Sequence, residues 1–325
     1  MLSLRQYSLK PVTQAVLISS LVGTLAACGG SGSNNTNVNN PDSQPDSTSF
    51  SLAVSDAPVD QASEVVVYFD AVELIGESGN QTFDVRDGNG DPRAIDLLQY
   101  QGNAFVEIVA ATDIPLGTYS QLRLVVTDDS YIVTDAGTFN LSVPSGELKL
   151  DGFVALPNVE AAYTVEFDLR KSVVDPVGQT STYFLKPRGV RLVANSEVGT
   201  LSGTVSTDLI THADCSVKAD SDVGNAVYIY NSTNLDAGLL GDDADSPENA
   251  AEISPYAIAT VNYEASSDTY RYVAGYLPAG DYTVAFSCLA DADLPESDEN
   301  AEDGFNFQLV TETSISAGNE TVLSL

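Results

Sequence analysis

The sequence has no tryptophan, a single histidine and three cysteines in 325 residues, and only 13 basic residues against 46 acidic ones. The shortage of lysine and arginine excludes nucleic-acid binding, which needs a basic surface against the phosphates. The single histidine, His212, is followed by Asp214 and Cys215 and is interpreted as a surface residue near a disulfide. A serine protease triad would have to use it, and no G-x-S-x-G, CxxC or P-loop motif occurs.

A hydrophobic run long enough to span a membrane is also missing from the N-terminus. Arg5 and Lys10 are followed by the uncharged segment Val12–Ala27, which several polar residues interrupt. A spanning helix needs about 20 mostly apolar residues. The short apolar segment behind a positive start therefore predicts a signal peptide over residues 1–27.

The signal peptide ends in Leu25-Ala26-Ala27-Cys28-Gly29. This sequence resembles the lipobox of bacterial lipoproteins. The resemblance implies cleavage before Cys28 and acylation of Cys28, with palmitate among the acyl chains, so that several chains together anchor the protein to a membrane. Because Gly29 is not aspartate, the resemblance further implies the outer membrane of a Gram-negative bacterium.

The next segment is polar and carries one apolar residue, Val38, between Gly29 and Ser49. Such a composition cannot bury enough surface to fold, and we expect a disordered linker over residues 28–49 that acts as a tether. Removal of residues 1–27 takes away Arg5 and Lys10 and no acid, so the net charge changes from −33 to −35. This charge makes direct attraction to anionic lipid unfavourable.

The two cysteines that remain, Cys215 and Cys288, predict a disulfide, since an exported chain with an even pair oxidises readily. The alternative is a pair of free thiols. Neither these cysteines nor His212 has the spacing of a zinc site.

From Phe50 onward, short alternating or β-branched runs are separated by glycine- and aspartate-rich turns. This pattern predicts an all-β protein built from two β-sandwich domains, residues 50–198 and 199–325, of the immunoglobulin or transthyretin-like kind. Only Ile95–Gln101 favours a turn or two of helix. The separate runs Phe305–Val310 and Thr321–Leu325 are predicted as the last strands.

Two segments share the form apolar-Pro-x-Gly-x-Tyr, Ile114–Tyr119 and Leu277–Tyr282. Proline and glycine favour a turn at this spacing. We expect each tyrosine to bury its ring and to hydrogen-bond back to the backbone, as in a tyrosine corner.

The C-terminal part is similar to transthyretin-like or carboxypeptidase-regulatory-like modules over most of 199–325. The similarity rests on Leu201–Val205, Val227–Tyr230 and Leu277–Val284. The acidic segment from Asp242 to Glu252 departs from a compact module.

The N-terminal part resembles an uncharacterised family of bacterial envelope lipoproteins, a domain of unknown function, over about 50–195. It does so through Val54–Asp60, Leu116–Leu124 and Leu185–Leu192. This resemblance implies a β-rich envelope domain and transfers no catalytic residue.

One segment carries possible metal chemistry. Asp87, Asn89 and Asp91 place side-chain oxygens at alternate positions, as the start of a calcium loop does. Pro92 and Leu98 then stand where the loop would need glycine and glutamate, and a tight hairpin turn explains the same residues. We favour the turn and keep calcium as the alternative; no other cofactor is expected.

Asp56 and Asp60 follow an apolar strand in the sequence Ser55-Asp56-Ala57-Pro58. The sequence favours an aspartate-initiated turn at this strand end. The alternative is a recognition loop at one end of the sandwich.

Together these observations predict a lipid-anchored envelope protein that acts as a non-enzymatic binding or structural module. Its partners would be the membrane, through the anchor, and another envelope protein or a surface polymer. The alternatives are an envelope enzyme of carbohydrate or peptide processing, which would need a perturbed carboxylate in a deep pocket, and a calcium-dependent adhesion element.

Overall fold

The computed structural model describes residues 46–57, 62–174, 181–242, 252–292 and 305–325. All of them belong to one compact unit, Gln44–Leu325. Residues 1–45 lie outside the described residues, and with them the predicted signal peptide, the lipidation site Cys28 and most of the predicted linker. Asp60 lies outside them as well. The N-terminal half is defined as the part before residue 198, and the C-terminal half begins at that residue.

The protein is all-β, as the alternation of apolar and polar residues predicted. The N-terminal half contributes thirteen of the described strands. They are β1 (Ser47–Ala57), β2 (Glu64–Gly76), β3 (Gln81–Asp84), β4 (Arg93–Asp96), β5 (Val106–Pro115), β6 (Gly117–Val126), β7 (Tyr131–Thr134), β8 (Gly137–Ser142), β9 (Glu147–Ala155), β10 (Ala161–Asp168), β11 (Val173–Val174), β12 (Thr182–Leu185) and β13 (Val190–Ala194).

These strands form two sheets that pack face to face. Sheet I has the order β13-β10-β1-β5, with β1 and β10 parallel. Sheet II has the order β11-β12-β8-β7-β2-β6-β9, and β3 and β4 also pair with β2. Aromatic rings join the sheets: Phe50 of sheet I stacks on Phe153 of sheet II with ring centroids 5.6 Å apart. The first core lies between these sheets.

The C-terminal half contributes the other eight described strands. They are β14 (Val198–Val205), β15 (Ala226–Tyr230), β16 (Ala257–Thr260), β17 (Asn262–Glu264), β18 (Thr269–Pro278), β19 (Gly280–Ser287), β20 (Leu309–Ile315) and β21 (Glu320–Val322). Sheet III has the order β17-β18-β14-β21 and sheet IV the order β16-β15-β19-β20. A second core contains apolar residues from both sheets, among them Leu201 and Val284.

Helix is confined to short segments among the described residues. They are α1 (Leu169–Ser172), α2 (Thr207–Ile210) and four 3₁₀ turns at Leu97–Tyr100, Ala213–Val217, Ala237–Leu239 and Ala290–Ala292. The turn at Leu97–Tyr100 confirms the helical turn predicted over Ile95–Gln101. In the part of the chain that the structure describes, no helix has the length and apolar character to cross a membrane.

Two of the differences from the sequence-based expectation concern the first and the last strands. β1 begins at Ser47, so the last three residues assigned to the linker form part of a strand. The prediction of a strand at Phe305–Phe307 was wrong, because the last long strand begins at Leu309. The rings of Phe305 and Phe307 instead contact Tyr228 edge-on and cover the outer face of sheet IV. A segment that covers a sheet and a strand within a sheet can both be rich in aromatic residues, so composition alone does not distinguish them.

Candidate functional site

The disulfide between Cys215 and Cys288 is present, with the two Cα atoms 5.8 Å apart. Both cysteines are buried in the second core. The bond ties the 3₁₀ turn Ala213–Val217 to the end of β19. His212 begins this turn, and its Nδ1 accepts a hydrogen bond from the backbone N–H of Asp214. The histidine thus has a capping role beside the disulfide.

Asp87, Asn89 and Asp91 lie in an exposed turn between β3 and β4. The Asp87 carboxylate accepts backbone hydrogen bonds from Asn89 at 2.8 Å and Asp91 at 3.0 Å. These bonds stabilise the ionised carboxylate, and the hydrogen bond from Asn89 contributes most to lowering the pKa of Asp87. No cluster of three or more histidine, cysteine or acidic residues suited to a metal occurs among the described residues. Calcium binding at the turn stays a prediction.

The two predicted tyrosine corners are confirmed. Tyr119 Oη donates to the carbonyl of Pro115 at 3.0 Å, and Tyr282 Oη donates to the carbonyl of Pro278 at 2.7 Å. Both rings are buried, and burial raises the pKa of each phenol, that of Tyr282 to about 12. The motif therefore fixes the start of one strand in each half and has a structural role.

A cleft with a volume of about 450 Å³ lies between the two halves. Basic side chains of the N-terminal half form one wall. The loop after β15 and the loop before β16 form the other. The lining residues are Lys171, Arg188, Gly189, Arg191, Asn231, Ser232, Leu235, Ile253, Ser254, Pro255 and Tyr256.

The basic wall is built by α1 and the turn between β12 and β13. Asp168 begins α1, and its carboxylate accepts a hydrogen bond from the backbone N–H of Lys171. Gly189 has a φ of +76°, and a Cβ there would lie 2.5 Å from the Cβ of Lys171. Glycine is needed at this position because the turn approaches the helix so closely. This packing places Lys171, Arg188 and Arg191 beside one another.

Arg191 contacts both halves. Its guanidinium pairs with Glu166 of β10 and donates to the backbone carbonyl of Tyr256 at 2.5 Å. The same group lies 4.1 Å from the centroid of the Tyr256 ring, which adds a cation–π contact. Lys171 Nζ donates to the neighbouring carbonyl of Pro255 and lies 3.8 Å from Asp168. Two cations of one half thus bind two consecutive carbonyls of the other.

Glu166 lies beneath this contact and is almost fully buried. Desolvation raises its pKa to about 7, although the charge and hydrogen bond of Arg191 act in the opposite direction. Thr164 and Asp168 share the same face of β10 and are buried as well. Tyr276 of β18 extends across the junction, and its hydroxyl donates to the carbonyl of Asn103 at 3.4 Å. The outer face of sheet I is therefore covered by the C-terminal half.

This cluster was not identified as a site from the sequence. A signal was present, because five of the 13 basic residues fall between Arg170 and Arg191 in a strongly acidic chain. In the sequence, the segment Leu185–Leu192 stood out only through a family resemblance. The cations of this cluster bind backbone carbonyls and a buried carboxylate, and these contacts connect the two halves.

Asp56 is also buried, at the end of β1. Its carbonyl accepts a hydrogen bond from Gly102 N at 3.1 Å, and it forms a bridge with Gln101. The predicted strand end is therefore present. The predicted aspartate-initiated turn and its alternative, a recognition loop, both continue into residues 58–61, which lie outside the described residues.

Comparison with known structures gives alignments with low scores. The chain aligns with the Bacillus anthracis TIE protein at 12% identity over 86% of this chain and 34% of that one, with a TM-score of 0.19. It also aligns with a minor pilin of Streptococcus agalactiae at 8% identity over 85% of this chain and 94% of that one, with a TM-score of 0.18. A fimbrial protein of Bacteroides ovatus aligns at 9% identity over 86% of this chain and 48% of that one, with a TM-score of 0.17.

The chain thus spans about a third of the length of the Bacillus anthracis protein. At these TM-scores the alignments carry no argument. No curated protein matches the chain.

The comparison with protein families is specific to the N-terminal half. The matched residues, 47–187, run from the first residue of β1 to the turn that carries Arg188. They include Glu166 and Lys171 of the cluster described above. Residues 47–187, fewer than half of the chain, match the family described as Domain of unknown function (DUF4382).

Proposed function

We propose that this chain is a lipid-anchored, non-enzymatic binding or structural module of the bacterial cell envelope. The anchor is the acylated Cys28, the membrane is the outer membrane of a Gram-negative bacterium, and residues 28–46 connect the anchor to the folded part. The partner is another envelope protein or a surface polymer. Residues 50–198 and 199–325 act as two domains, the second transthyretin-like.

One structural observation carries the non-enzymatic part of the proposal. In the cleft, the cations Lys171 and Arg191 bind the carbonyls of Pro255 and Tyr256, and Arg191 also pairs with Glu166. A catalytic acid or base must reach a substrate proton at hydrogen-bond distance. Here the charged groups instead fix the relative position of the two halves, which suits a protein that presents a rigid surface.

The anchor is tested by growing cells with an alkyne fatty acid and measuring the label on the purified chain. The wild-type chain should be labelled and should sediment with membranes, and Cys28→Ser should lose both properties. The chain has only three cysteines, so a Cys215→Ser/Cys288→Ser double variant is the matched control and should keep the label. An unlabelled wild-type chain, or a Cys28→Ser variant that still sediments with membranes, would refute the anchor.

Partner binding is tested by crosslinking the anchored chain in intact cells and identifying the products by mass spectrometry. The proposal expects one recurrent envelope protein or polymer that Cys28→Ser fails to capture, because the released chain is no longer held near it. Hydrolysis of envelope polysaccharide or peptide by the purified chain would contradict the non-enzymatic assignment. Adding millimolar calcium tests the adhesion alternative, which requires a shift in melting temperature that Asp87→Ala removes.

A further inference from the structure

The start of β1 lies beside a group of exposed aliphatic side chains. Val154, Leu156 and Val159 are 53%, 49% and 51% exposed, and they occupy the end of β9 and the connection to β10. Val154 lies in β9, and Leu156 directly follows Ala155, the last residue of that strand. We refer to these three residues as the apolar foot.

Hydrogen bonds tie the apolar foot to the first described residues. Thr48 Oγ1 donates to the carbonyl of Val159 at 2.5 Å. Asp46 accepts a hydrogen bond from Leu116 N at 3.2 Å. Leu116 precedes Gly117, which pairs with Ala155 in the sheet. The chain therefore enters the fold at the apolar foot.

The C-terminal half contacts β1 at its other end. Gly102 bonds to Asp56 near the end of the strand, and a Cβ on Gly275 of β18 would lie 2.3 Å from the carbonyl oxygen of Gly102. From Ser47 to Asp56 a strand rises about 30 Å. The apolar foot is thus separated from this junction by most of the length of β1.

We propose that the apolar foot rests on the lipid bilayer that holds the acylated Cys28, so that the C-terminal half is presented away from the membrane. This inference rests on the proposed lipid anchor. Whatever path they follow, the 18 residues from Gly29 to Asp46 span at most about 65 Å. The covalent link keeps the foot near the bilayer, where even a weak contact is occupied.

The size of the foot favours a bilayer over a second protein. Three half-exposed aliphatic side chains offer on the order of 200 Å² of apolar surface, whereas a stable protein interface needs about 800 Å² per partner. A small apolar contact is sufficient when it acts as a second signal beside a lipid anchor. Asp113 and Glu160 line a shallow depression with Val159. These carboxylates favour zwitterionic lipid over anionic lipid.

The absence of tryptophan makes a sharp test possible. The full acylated chain carrying Leu156→Trp has a single tryptophan, and it is reconstituted on phosphatidylcholine vesicles that contain brominated lipid. The matched control is Val322→Trp, because Val322 is 70% exposed on β21 of the C-terminal half. We expect quenching at position 156 to exceed quenching at position 322 by roughly threefold, with a blue-shifted emission only at 156.

Two further variants and a lipid series complete the experiment. Val154→Ser/Val159→Ser, added to Leu156→Trp, should return the quenching to the control value. Replacing part of the phosphatidylcholine by phosphatidylglycerol should lower it. Equal quenching at positions 156 and 322 in a chain shown by mass spectrometry to be acylated overturns this inference alone, whereas an unacylated Cys28 overturns the proposed anchor with it. A blue shift that needs no vesicles and grows with protein concentration overturns it in favour of self-association.

Discussion

Replacing Arg191 by methionine tests the role of the buried cluster between the halves. The substitution keeps an unbranched side chain of similar length and removes the charge. It also removes the pair with Glu166, the hydrogen bond to the carbonyl of Tyr256 and the cation–π contact with the Tyr256 ring. We expect Arg191→Met to destabilise the protein by an amount that depends on pH.

The magnitude depends on the groups that remain in the interior. An ionised carboxylate left buried without its partner costs about 3–5 kcal/mol. If Glu166 is protonated instead, the main loss is the hydrogen bond to Tyr256, about 1–2 kcal/mol. At pH 5 Glu166 is protonated with or without Arg191, so the smaller cost applies. At pH 8 the wild type is largely ionised, whereas the variant, in which the pKa of Glu166 rises above about 7, must bury an unpaired carboxylate or take up a proton. The cost at pH 8 is therefore larger than at pH 5, with about 3–5 kcal/mol as its upper limit.

The sign of the pH dependence comes from the same shift. The folded protein holds the Glu166 proton more tightly than the unfolded chain, whose ordinary value is 4.5. Stability from this group is therefore complete below pH 4.5 and is lost as the pH rises towards about 7, by up to about 3 kcal/mol in the wild type. In Arg191→Met the loss continues to higher pH.

The measurement is the free energy of unfolding from urea titrations at pH 5 and pH 8, with the disulfide intact. Glu166→Gln/Arg191→Met should remove the part of the pH dependence that comes from Glu166, because the carboxyl group at this position is gone. Arg271→Met is the surface control: Arg271 pairs with Glu264 at 2.9 Å, and both side chains are about half exposed, so little change is expected. An equal cost of Arg191→Met at both pH values would refute the reasoning.

The tyrosine corners and the disulfide allow two further predictions. Tyr119→Phe and Tyr282→Phe should each lower the free energy of unfolding by about 1–2 kcal/mol, because a proline carbonyl loses its buried donor. Thermal unfolding of the two variants measures this effect. An unchanged melting temperature would contradict the assigned hydrogen bonds. Reducing the bond between Cys215 and Cys288, which are 73 residues apart, should cost roughly 4 kcal/mol by loop entropy. Urea titration with and without reductant checks this value.

Most of the strands could be predicted from the sequence. Runs such as Val227–Tyr230 and Tyr131–Val133 lie within β15 and β7. Short runs of alternating or β-branched residues predict strands, because side chains in a strand alternate with a period of two residues. The alternating pattern does not predict a strand over Glu147–Ala155, the range of β9, because Gly152 interrupts it. A Cβ at position 152 would lie 1.9 Å from the carbonyl oxygen of Tyr119, so glycine is required by the neighbouring strand.

Local chemistry was equally accessible from the sequence. The bond between Cys215 and Cys288 followed from the number of cysteines left after Cys28, and the hydrogen bonds of Tyr119 and Tyr282 followed from a six-residue motif. These features depend on residues that are close in the chain or on a choice with few alternatives. A short window of sequence therefore contains the information that decides them.

Only the tertiary structure decided which polar residues are buried. Thr164, Glu166 and Asp168 alternate with Val165 and Phe167 along β10, a pattern that in a two-sheet sandwich indicates a solvent-facing side. They are buried because a loop some 90 residues further along the chain lies across them and binds Lys171 and Arg191. Periodicity shows that a strand has two faces, but what covers the second face depends on contacts between distant parts of the chain.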